Sequence, residues 1–312
     1  MDRIIGRFDG TEKGPLLICF GALHGNEPAG IKAVDLVLKM LEIEPISNPD
    51  FYYKGRFLGL IGNLKALEKG IRFIDKDLNR SFIPQHIEHI KNLHEDQLDS
   101  EDKELLDLLN VINKEIKDYQ PSHILFLDLH TTSSYGGIFT ISHDTPDSIR
   151  IAQSLHAPVI LGITRDLRGT TLHYFNNDNF DEEVISITFE SGQHQESLSV
   201  NRAISAIINC MKEIGSVKEH HVENFHEEIL IKYSDKLPKV ATLLERHGVE
   251  PGHQFKMNPG YENFQFVRKG EIIAEDKNGP IKVKEDGLLL MPLYQTKGED
   301  GFFVIKVVEE RK

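Results

Sequence analysis

The stretch LLICFGALHGNEPAG, residues 16–30, constrains this chain more than any other part of it. Its first five residues are apolar and partly β-branched, which predicts a buried strand. His24 and Glu27 follow the end of that strand, and Pro28 is typical of the first position of a helix. A histidine and a glutamate three residues apart at a strand end can bind one divalent ion. The sequence therefore predicts a buried strand that carries two candidate metal ligands into the turn before a helix.

Segments with the pattern of strands alternate with segments of helical periodicity over residues 1–216. The predicted strands are 16–20, 57–61, 123–129, 138–142, 158–163 and 184–189, and the predicted helices are 28–44, a short one ending near 70, 101–119, 146–156 and 199–214. This order predicts an α/β fold with a mostly parallel, doubly wound sheet. Residues 84–100 lack clear periodicity, so we expect a surface connection there. Residues 165–183 are predicted to form a long functional loop.

Beyond about residue 217 the pattern of the chain changes. Short apolar runs such as GEIIAED, GLLLMPLY and GFFVIKVV are separated by turns rich in glycine, proline, asparagine and aspartate. Such runs predict short strands. We therefore expect two domains, an α/β domain at residues 1–216 and a smaller β-rich domain at residues 217–312, which the length of 312 residues also favours.

The chain is acidic, with a formal net charge of −13, which argues against nucleic acid or an anionic membrane as a partner. Any site for an anionic ligand therefore needs arginines of its own. The two cysteines are too few for a disulfide framework. The first ten residues lack the apolar stretch of a signal peptide, and no apolar run approaches the length of a membrane span. We expect a cytoplasmic protein.

Three side chains that can bind metal or transfer protons lie at the ends of predicted parallel strands: His24, His130 and Glu190. In open α/β sheets, ligands bind at that edge. The two histidines and Glu27 form a catalytic zinc ligand set that leaves a fourth position for water. A second carboxylate must then move a proton from the water to the leaving amine, and Glu190 is the best candidate. The pattern thus predicts a metal-dependent hydrolase.

Asp128 lies two residues before His130, so both side chains leave the predicted strand on the same face. Asp128 can orient the imidazole of His130 by accepting a hydrogen bond. The alternative is a buried aspartate with a backbone partner, and the sequence leaves both open.

The segment RFIDKDLNR, residues 72–80, supplies positive charge in this acidic chain. Arg80 can bind a carboxylate in bidentate fashion, with Asn79 as a further donor. Arg72 can stabilise a developing oxyanion. The alternative is that both arginines are surface partners of the aspartates in the same segment.

Four segments together resemble the motifs of the succinylglutamate desuccinylase/aspartoacylase family: GALHGNEPAG, RFIDKDLNRSF, FLDLHTTSS and ITFESGQ. Members of this family are zinc deacylases that share the carboxypeptidase A fold, and the resemblance covers residues 15–200 in order. It implies a zinc carboxypeptidase type of fold. It also implies one Zn²⁺ per chain, held by His24, Glu27 and His130.

The same resemblance implies roles for four further side chains. Glu190 becomes the general base and then the general acid. Arg72 polarises the scissile carbonyl, and Asn79 with Arg80 holds a carboxylate of the substrate.

Two places depart from the pattern of the family. Aspartoacylases carry a substrate-binding arginine and tyrosine shortly before the catalytic glutamate, whereas residues 173–189 contain no arginine. Arg165, Arg168 and Tyr174 are the candidates to replace them. Aspartoacylases also use a tyrosine from the C-terminal domain, and the corresponding stretch QTKGEDGFFV contains none. These differences disfavour N-acetylaspartate as the substrate.

The resemblance therefore implies zinc-dependent hydrolysis of the amide bond of a small N-acyl amino acid or a similar carboxylate-bearing amide. The alternatives are a zinc carboxypeptidase that acts on peptides and a zinc-retaining binding protein without catalysis. The β-rich domain distinguishes the two enzymes, since only small substrates enter if it covers the cleft. The expected partner is a small molecule, neither nucleic acid nor membrane, and homodimer formation remains open.

Overall fold

The structure is a computed structural model that describes residues 2–218, 227–250 and 252–308. Its strands are β1 (Ile4–Asp9), β2 (Glu12–Gly21), β3 (Lys54–Ile61), β4 (Ile124–Thr132), β5 (Phe139–Ser142), β6 (Val159–Leu161), β7 (Val184–Gln193), β8 (Val240–Gly248), β9 (Lys256–Met257), β10 (Phe266–Val267), β11 (Ile272–Asp276), β12 (Gly279–Lys282), β13 (Gly287–Leu290) and β14 (Asp300–Val307). Its α-helices are α1 (Ala29–Ser47), α2 (Leu64–Lys69), α3 (Pro84–Lys91), α4 (Ser100–Tyr119), α5 (Pro146–Ser154), α6 (Ile163–Asp166), α7 (Thr171–Tyr174), α8 (Ser199–Glu213) and α9 (Glu227–Ser234). Short 3₁₀ helices span Leu78–Arg80 and Glu95–Gln97.

Eleven strands form one mixed sheet in the order β1-β3-β2-β4-β7-β5-β6-β8-β14-β13-β10. Strands β3, β2, β4 and β7 run parallel to one another, and so do β5, β6 and β8. The pairs β1–β3 and β7–β5 are antiparallel, as are the pairs beyond β8. Strands β9, β11 and β12 form a separate antiparallel sheet. The predicted α/β class, with a large, mostly parallel mixed sheet and a β-rich C-terminal part, is confirmed.

Strand β2 lies inside the sheet, and its residues from Gly14 to Gly21 are buried. Successive side chains of a strand point to opposite faces. Accordingly, Leu17 and Cys19 pack with α1 and α8, whereas Ile18 and Phe20 pack with α4 on the other face. Each buried aliphatic or aromatic side chain stabilises the fold by roughly 2 kcal/mol. The strand that precedes the predicted ligands is therefore firmly anchored on both sides.

Two stretches predicted to lack regular structure contain helices, so that part of each prediction is wrong. Residues 84–100 include α3, whose Ile87 and Ile90 are buried in the cluster that also contains residues of α4. Polar residues fill the rest of α3, which leaves too few apolar positions to show a period. Residues 165–183 include α7 and the end of α6, each a single turn. A single turn is too short to reveal its periodicity.

The strands after residue 217 extend the sheet built by the earlier part of the chain. Strand β8 pairs in parallel with β6, and β14 pairs antiparallel with β8. One sheet therefore runs through both predicted domains. The boundary between residues 216 and 217 stays a prediction.

Cys19 and Cys210 are both buried free thiols. Among the described helices, none combines the length and apolar character needed to cross a membrane.

Candidate active site

The turn after β2 brings His24 and Glu27 to the edge of the sheet. It is closed by a hydrogen bond from the Glu27 N–H to the His24 carbonyl, at 3.0 Å. A Cβ on Gly25 would lie 2.1 Å from the carbonyl carbon of Ala66, so only glycine lets the turn pack so closely on α2. The sequence predicts Pro28 as the first residue of α1, but the structure places it one position earlier, at the N-cap. The turn is thus held between α1 and α2.

Glu27 lies between the imidazoles of His24 and His130. Its Oε1 is 2.9 Å from His24 Nδ1, and its Oε2 is 3.1 Å from His130 Nδ1. One candidate ligand atom from each residue lies within 4.8 Å of the other two. All three residues are at most 4% exposed. The turn after β2 and the neighbouring strand β4 therefore supply a compact, buried group that could hold a metal ion.

The outer nitrogen of each imidazole faces a second carboxylate. His24 Nε2 lies 3.1 Å from Asp77 Oδ1, and His130 Nε2 lies 3.0 Å from Asp128 Oδ2. Carboxylates in this position fix the orientation and tautomer of metal-binding histidines. Two imidazoles and one carboxylate are the donors of a catalytic zinc site. The residues present thus fit a divalent ion, and Asp128 occupies the orienting position expected for it.

The charges in this group strongly affect one another. Burial opposes ionisation of Glu27, but His24 and His130 hold its pKa well below the usual range. Burial also opposes protonation of His130, but Asp128 and Glu27 raise its pKa well above the usual range. The carboxylate of Glu27 and the imidazole of His130 therefore each favour the charged form of the other. A cation that binds there competes with a proton for the imidazole nitrogen.

Glu190 lies inside β7, where it pairs in register with His130 of β4. The side chain is buried, and its Oε2 has no hydrogen-bond partner in the described part of the chain. Burial raises the pKa of Glu190 to about 8, the nearby carboxylates of Glu27 and Asp128 adding to the effect. A buried carboxyl group with a free oxygen beside the candidate ligands is suited to accept and return a proton.

Arg72 is oriented by Asp77. Its Nη2 and Nε donate to Asp77 Oδ2 at 2.9 and 3.2 Å, and its Nη1 lies 3.6 Å from Glu27 Oε1. Burial opposes ionisation of Asp77, but Arg72 and His24 hold its pKa well below the usual range. The guanidinium is thus fixed at the edge of the candidate metal site.

Asn79 and Arg80 lie on the 3₁₀ helix that begins after Asp77. Asn79 Oδ1 accepts a hydrogen bond from the Thr171 N–H at 3.0 Å. Arg80 Nη2 donates to Asp300 Oδ2 at 2.5 Å, and Arg80 Nε lies 3.5 Å from Glu299 Oε2. The arginine of the predicted carboxylate clamp is therefore already paired with two acidic side chains of the C-terminal part.

These groups line one cavity of about 110 Å³. Its walls include seven of the predicted site residues: His24, Glu27, Arg72, Asn79, Arg80, His130 and Glu190. Residues 291–300, the covering segment, also line it at several positions. The covering segment is fastened by hydrogen bonds from Asn26 Nδ2 to Gln295 Oε1 (3.2 Å) and from Lys297 Nζ to the Phe73 carbonyl (2.9 Å). The C-terminal part therefore closes one side of the cleft.

The structure places the two other predicted substrate-binding residues away from this cavity. Arg168 is exposed, and it is not among the described residues that line the cavity. Tyr174 packs against the rings of Phe82, Phe175 and Phe180. Neither is among the described residues that line the cavity. Both are therefore left out of the substrate site proposed below.

Three residues of the site have roles that the sequence reasoning missed. Asp77 was considered only as a surface partner of arginines, although it holds both His24 and Arg72. Thr171 donates to Asp128 Oδ2 at 2.6 Å. Asp300 pairs with Arg80. The density of charges in RFIDKDLNR was a signal for Asp77, whereas nothing near the other two in sequence marks them.

Residues 13–214 match the family model of the succinylglutamate desuccinylase/aspartoacylase catalytic domain. The chain is 24% identical over 280 residues to a succinylglutamate desuccinylase from Shewanella sp. (strain MR-4), which covers 88% of this chain and 76% of the relative. It is 32% identical over 134 residues to an aspartoacylase from Xenopus tropicalis, which covers 42% of this chain and only 39% of the relative.

Solved structures give the same picture of the fold. A succinylglutamate desuccinylase/aspartoacylase from Rhodobacter sphaeroides has a TM-score of 0.64 at 17% identity and covers 96% of this chain and 87% of its own. The product-bound structure of an ectoine utilization protein from Ruegeria pomeroyi has the same TM-score, identity and coverage. Since the family model spans more than half of its length, the chain belongs to the succinylglutamate desuccinylase/aspartoacylase family.

Proposed function

We propose that this protein is a zinc-dependent deacylase that hydrolyses the amide bond of small N-acyl amino acids. The observation that carries the proposal is the buried group of His24, Glu27 and His130 with Glu190 on the adjoining strand. Zinc is the ion of choice because two histidines and one glutamate form a known catalytic zinc set. Membership of a family of desuccinylases and aspartoacylases supports amide hydrolysis.

The side chains around the group divide the chemical work. A divalent ion, when bound, supplies Lewis-acid polarisation of a carbonyl and lowers the pKa of water. Glu190 accepts a proton from the attacking water and returns it to the leaving nitrogen. Arg72, held by Asp77, donates to the carbonyl oxygen as negative charge develops on it.

The substrate is held at the other end by Asn79 and Arg80. The guanidinium of Arg80 can exchange its carboxylate partner Asp300 for a carboxylate of the substrate. The covering segment narrows the cleft from the C-terminal side, which favours a small amide over a peptide. This closure supports a deacylase over a carboxypeptidase.

The experiment is a substrate screen on protein whose zinc content has been quantified. Release of free amine is followed for N-acyl amino acids and for C-terminal peptides, with and without a chelator. We expect chelator-sensitive cleavage of N-acyl amino acids that returns when zinc is added back. The Glu190→Gln variant should keep its zinc and lose about 10²–10⁴-fold in turnover, the usual contribution of proton transfer.

A matched control is Glu183→Gln, which makes the same chemical change at an exposed position just before β7. It should turn over like the unmodified protein. Cleavage of peptides alone would move the assignment to a carboxypeptidase. Stoichiometric zinc without turnover of any amide would favour a binding protein.

We also propose that the protein works in the cytoplasm on a small molecule, with neither nucleic acid nor membrane as a partner. The net charge of −13 supports the exclusion of nucleic acid and membrane, because it opposes binding to polyanions and to anionic lipid surfaces. Formation of a homodimer stays a prediction.

A further inference from the structure

One wall of the cavity is apolar. Ile141, Ile163, Leu167, Leu172 and Phe303 line it, and all five belong to one cluster of buried hydrophobic residues. They come from β5, from the segment that contains α6 and α7, and from β14. A substrate that fills the cavity therefore places part of its surface against a hydrocarbon wall.

The arginines of the cavity are already paired with carboxylates. Among the described residues that line it, Arg72 and Arg80 are the only arginines, and no lysine is present. Arg72 is bound to Asp77 at 2.9 Å, and Arg80 is bound to Asp300 at 2.5 Å. Glu299, which also lines the cavity, lies 3.5 Å from Arg80. These two arginines therefore face three carboxylates, those of Asp77, Asp300 and Glu299.

Substrates with several carboxylates are poorly matched to these walls. N-acetylaspartate carries two carboxylates and N-succinylglutamate carries three. A buried carboxylate needs a counter-ion or several hydrogen bonds, because its desolvation is costly. Arg72 is assigned to the carbonyl oxygen. Of the guanidinium groups that the described residues bring to the cavity, this leaves Arg80 for a ligand carboxylate, and Arg80 must leave Asp300 to bind it.

We propose that this chain selects amides with one carboxylate and an apolar group, the apolar group lying against the wall formed by Ile141, Leu167 and Phe303. This inference rests on the proposed deacylase function and specifies its substrate class. The structure leaves either end of the amide free to carry the apolar group. The selection therefore applies to an apolar acyl chain or to an apolar amino acid side chain.

The test compares substrates of matched shape on zinc-loaded protein. N-acetyl-leucine carries a branched hydrocarbon side chain where N-acetylaspartate carries a carboxylate. Alanine acylated with 4-methylpentanoate or with succinate gives the same contrast on the acyl side. We expect kcat/KM to be at least tenfold higher for the apolar member of at least one pair.

The outcomes separate this inference from the function on which it rests. Faster cleavage of the carboxylate member in both pairs would overturn the inference and leave the deacylase function intact. Equal rates within both pairs would overturn it too. No cleavage of any amide by the zinc-loaded protein would refute the deacylase function itself, and the substrate class with it.

A variant that adds a positive side chain to the cavity tests the role of cavity charge directly. Thr164 lines the cavity and is only partly buried, so a longer side chain can be accommodated at its position. Thr164→Arg should raise kcat/KM for N-acetylaspartate relative to N-acetyl-leucine about tenfold. Thr164→Gln, which is long and polar but uncharged, should leave that ratio near its original value. An unchanged ratio in Thr164→Arg, or an equal shift in both variants, would show that cavity charge does not set the preference.

Discussion

Replacing Glu190 with glutamine should make the metal-free protein more stable, by an amount that grows with pH. In the folded protein, burial raises the pKa of Glu190 from its ordinary value of 4.5 to about 8. A carboxyl group whose pKa is raised in the folded protein contributes its full stability at pH values below its ordinary pKa. That contribution is lost as the pH rises towards 8, because the unfolded chain has then released a proton that the folded protein still holds. Glutamine has no such proton.

The size of the effect follows from the two pKa values. At about 1.4 kcal/mol per pH unit, the interval from 4.5 to about 8 corresponds to at most about 5 kcal/mol. Entry of water and relaxation of the cavity reduce the cost of a buried charge. Glu190→Gln should therefore have a higher free energy of unfolding than the original protein. We expect this difference to be about 2–3 kcal/mol larger at pH 8 than at pH 5.

The assay is urea unfolding of both proteins with a chelator at pH 5, 6, 7 and 8. The Glu183→Gln variant controls for removal of a carboxylate outside the cavity. Saturating zinc should flatten the trend, since a nearby cation favours the charged form of Glu190. A difference in stability that stays constant from pH 5 to 8 in the chelated proteins would refute the reasoning.

Three further changes probe single contacts. His24→Ala should lower the zinc content well below one ion per chain, measured by elemental analysis of dialysed protein, because two remaining ligands hold the ion poorly; unchanged zinc would remove His24 from the ligand set. Arg80→Lys should raise KM for a carboxylate-bearing substrate about tenfold while changing kcat less, since lysine lacks the bidentate fork, and an unaffected KM would place the clamp elsewhere. Asp99→Ala removes the side chain that caps α4 by accepting from the Asp102 N–H and should cost about 1 kcal/mol in urea unfolding; an unchanged unfolding midpoint would contradict this.

The sequence predicts the part of the site in which local pattern and chemistry coincide. An apolar run followed by His24 and Glu27 indicates both the strand and its ligands, and His130 follows a strand of the same kind. These three residues then lie together because the carboxyl ends of parallel strands meet at one edge of the sheet. That Glu190 lies beside His130 depends on the order of β4 and β7 in the sheet, which the sequence did not specify.

What could not be predicted depends on contacts between distant parts of the chain. Nothing around Asp300 in the sequence indicates that it pairs with Arg80, because the two residues are 220 positions apart. Helix α3 was missed since its only two buried side chains, Ile87 and Ile90, are set among polar residues. Tyr174 is a candidate because of its place in the loop before Glu190, and its contacts with the rings of Phe82 and Phe175 are not visible in the sequence.

The pairing of Arg80 with Asp300 couples ligand affinity to the attachment of the last described strand. A carboxylate that takes Arg80 withdraws it from β14, and thermodynamic linkage requires the effect to be reciprocal. If the Arg80–Asp300 ion pair lowers the affinity for a ligand by some factor, the bound ligand lowers the equilibrium constant for forming that ion pair by the same factor. Amide hydrogen exchange along β14, measured with and without a bound carboxylate, would report that coupling. Exchange rates that are the same in both cases would show that Arg246, the other arginine bound to Asp300, is sufficient to hold the start of β14.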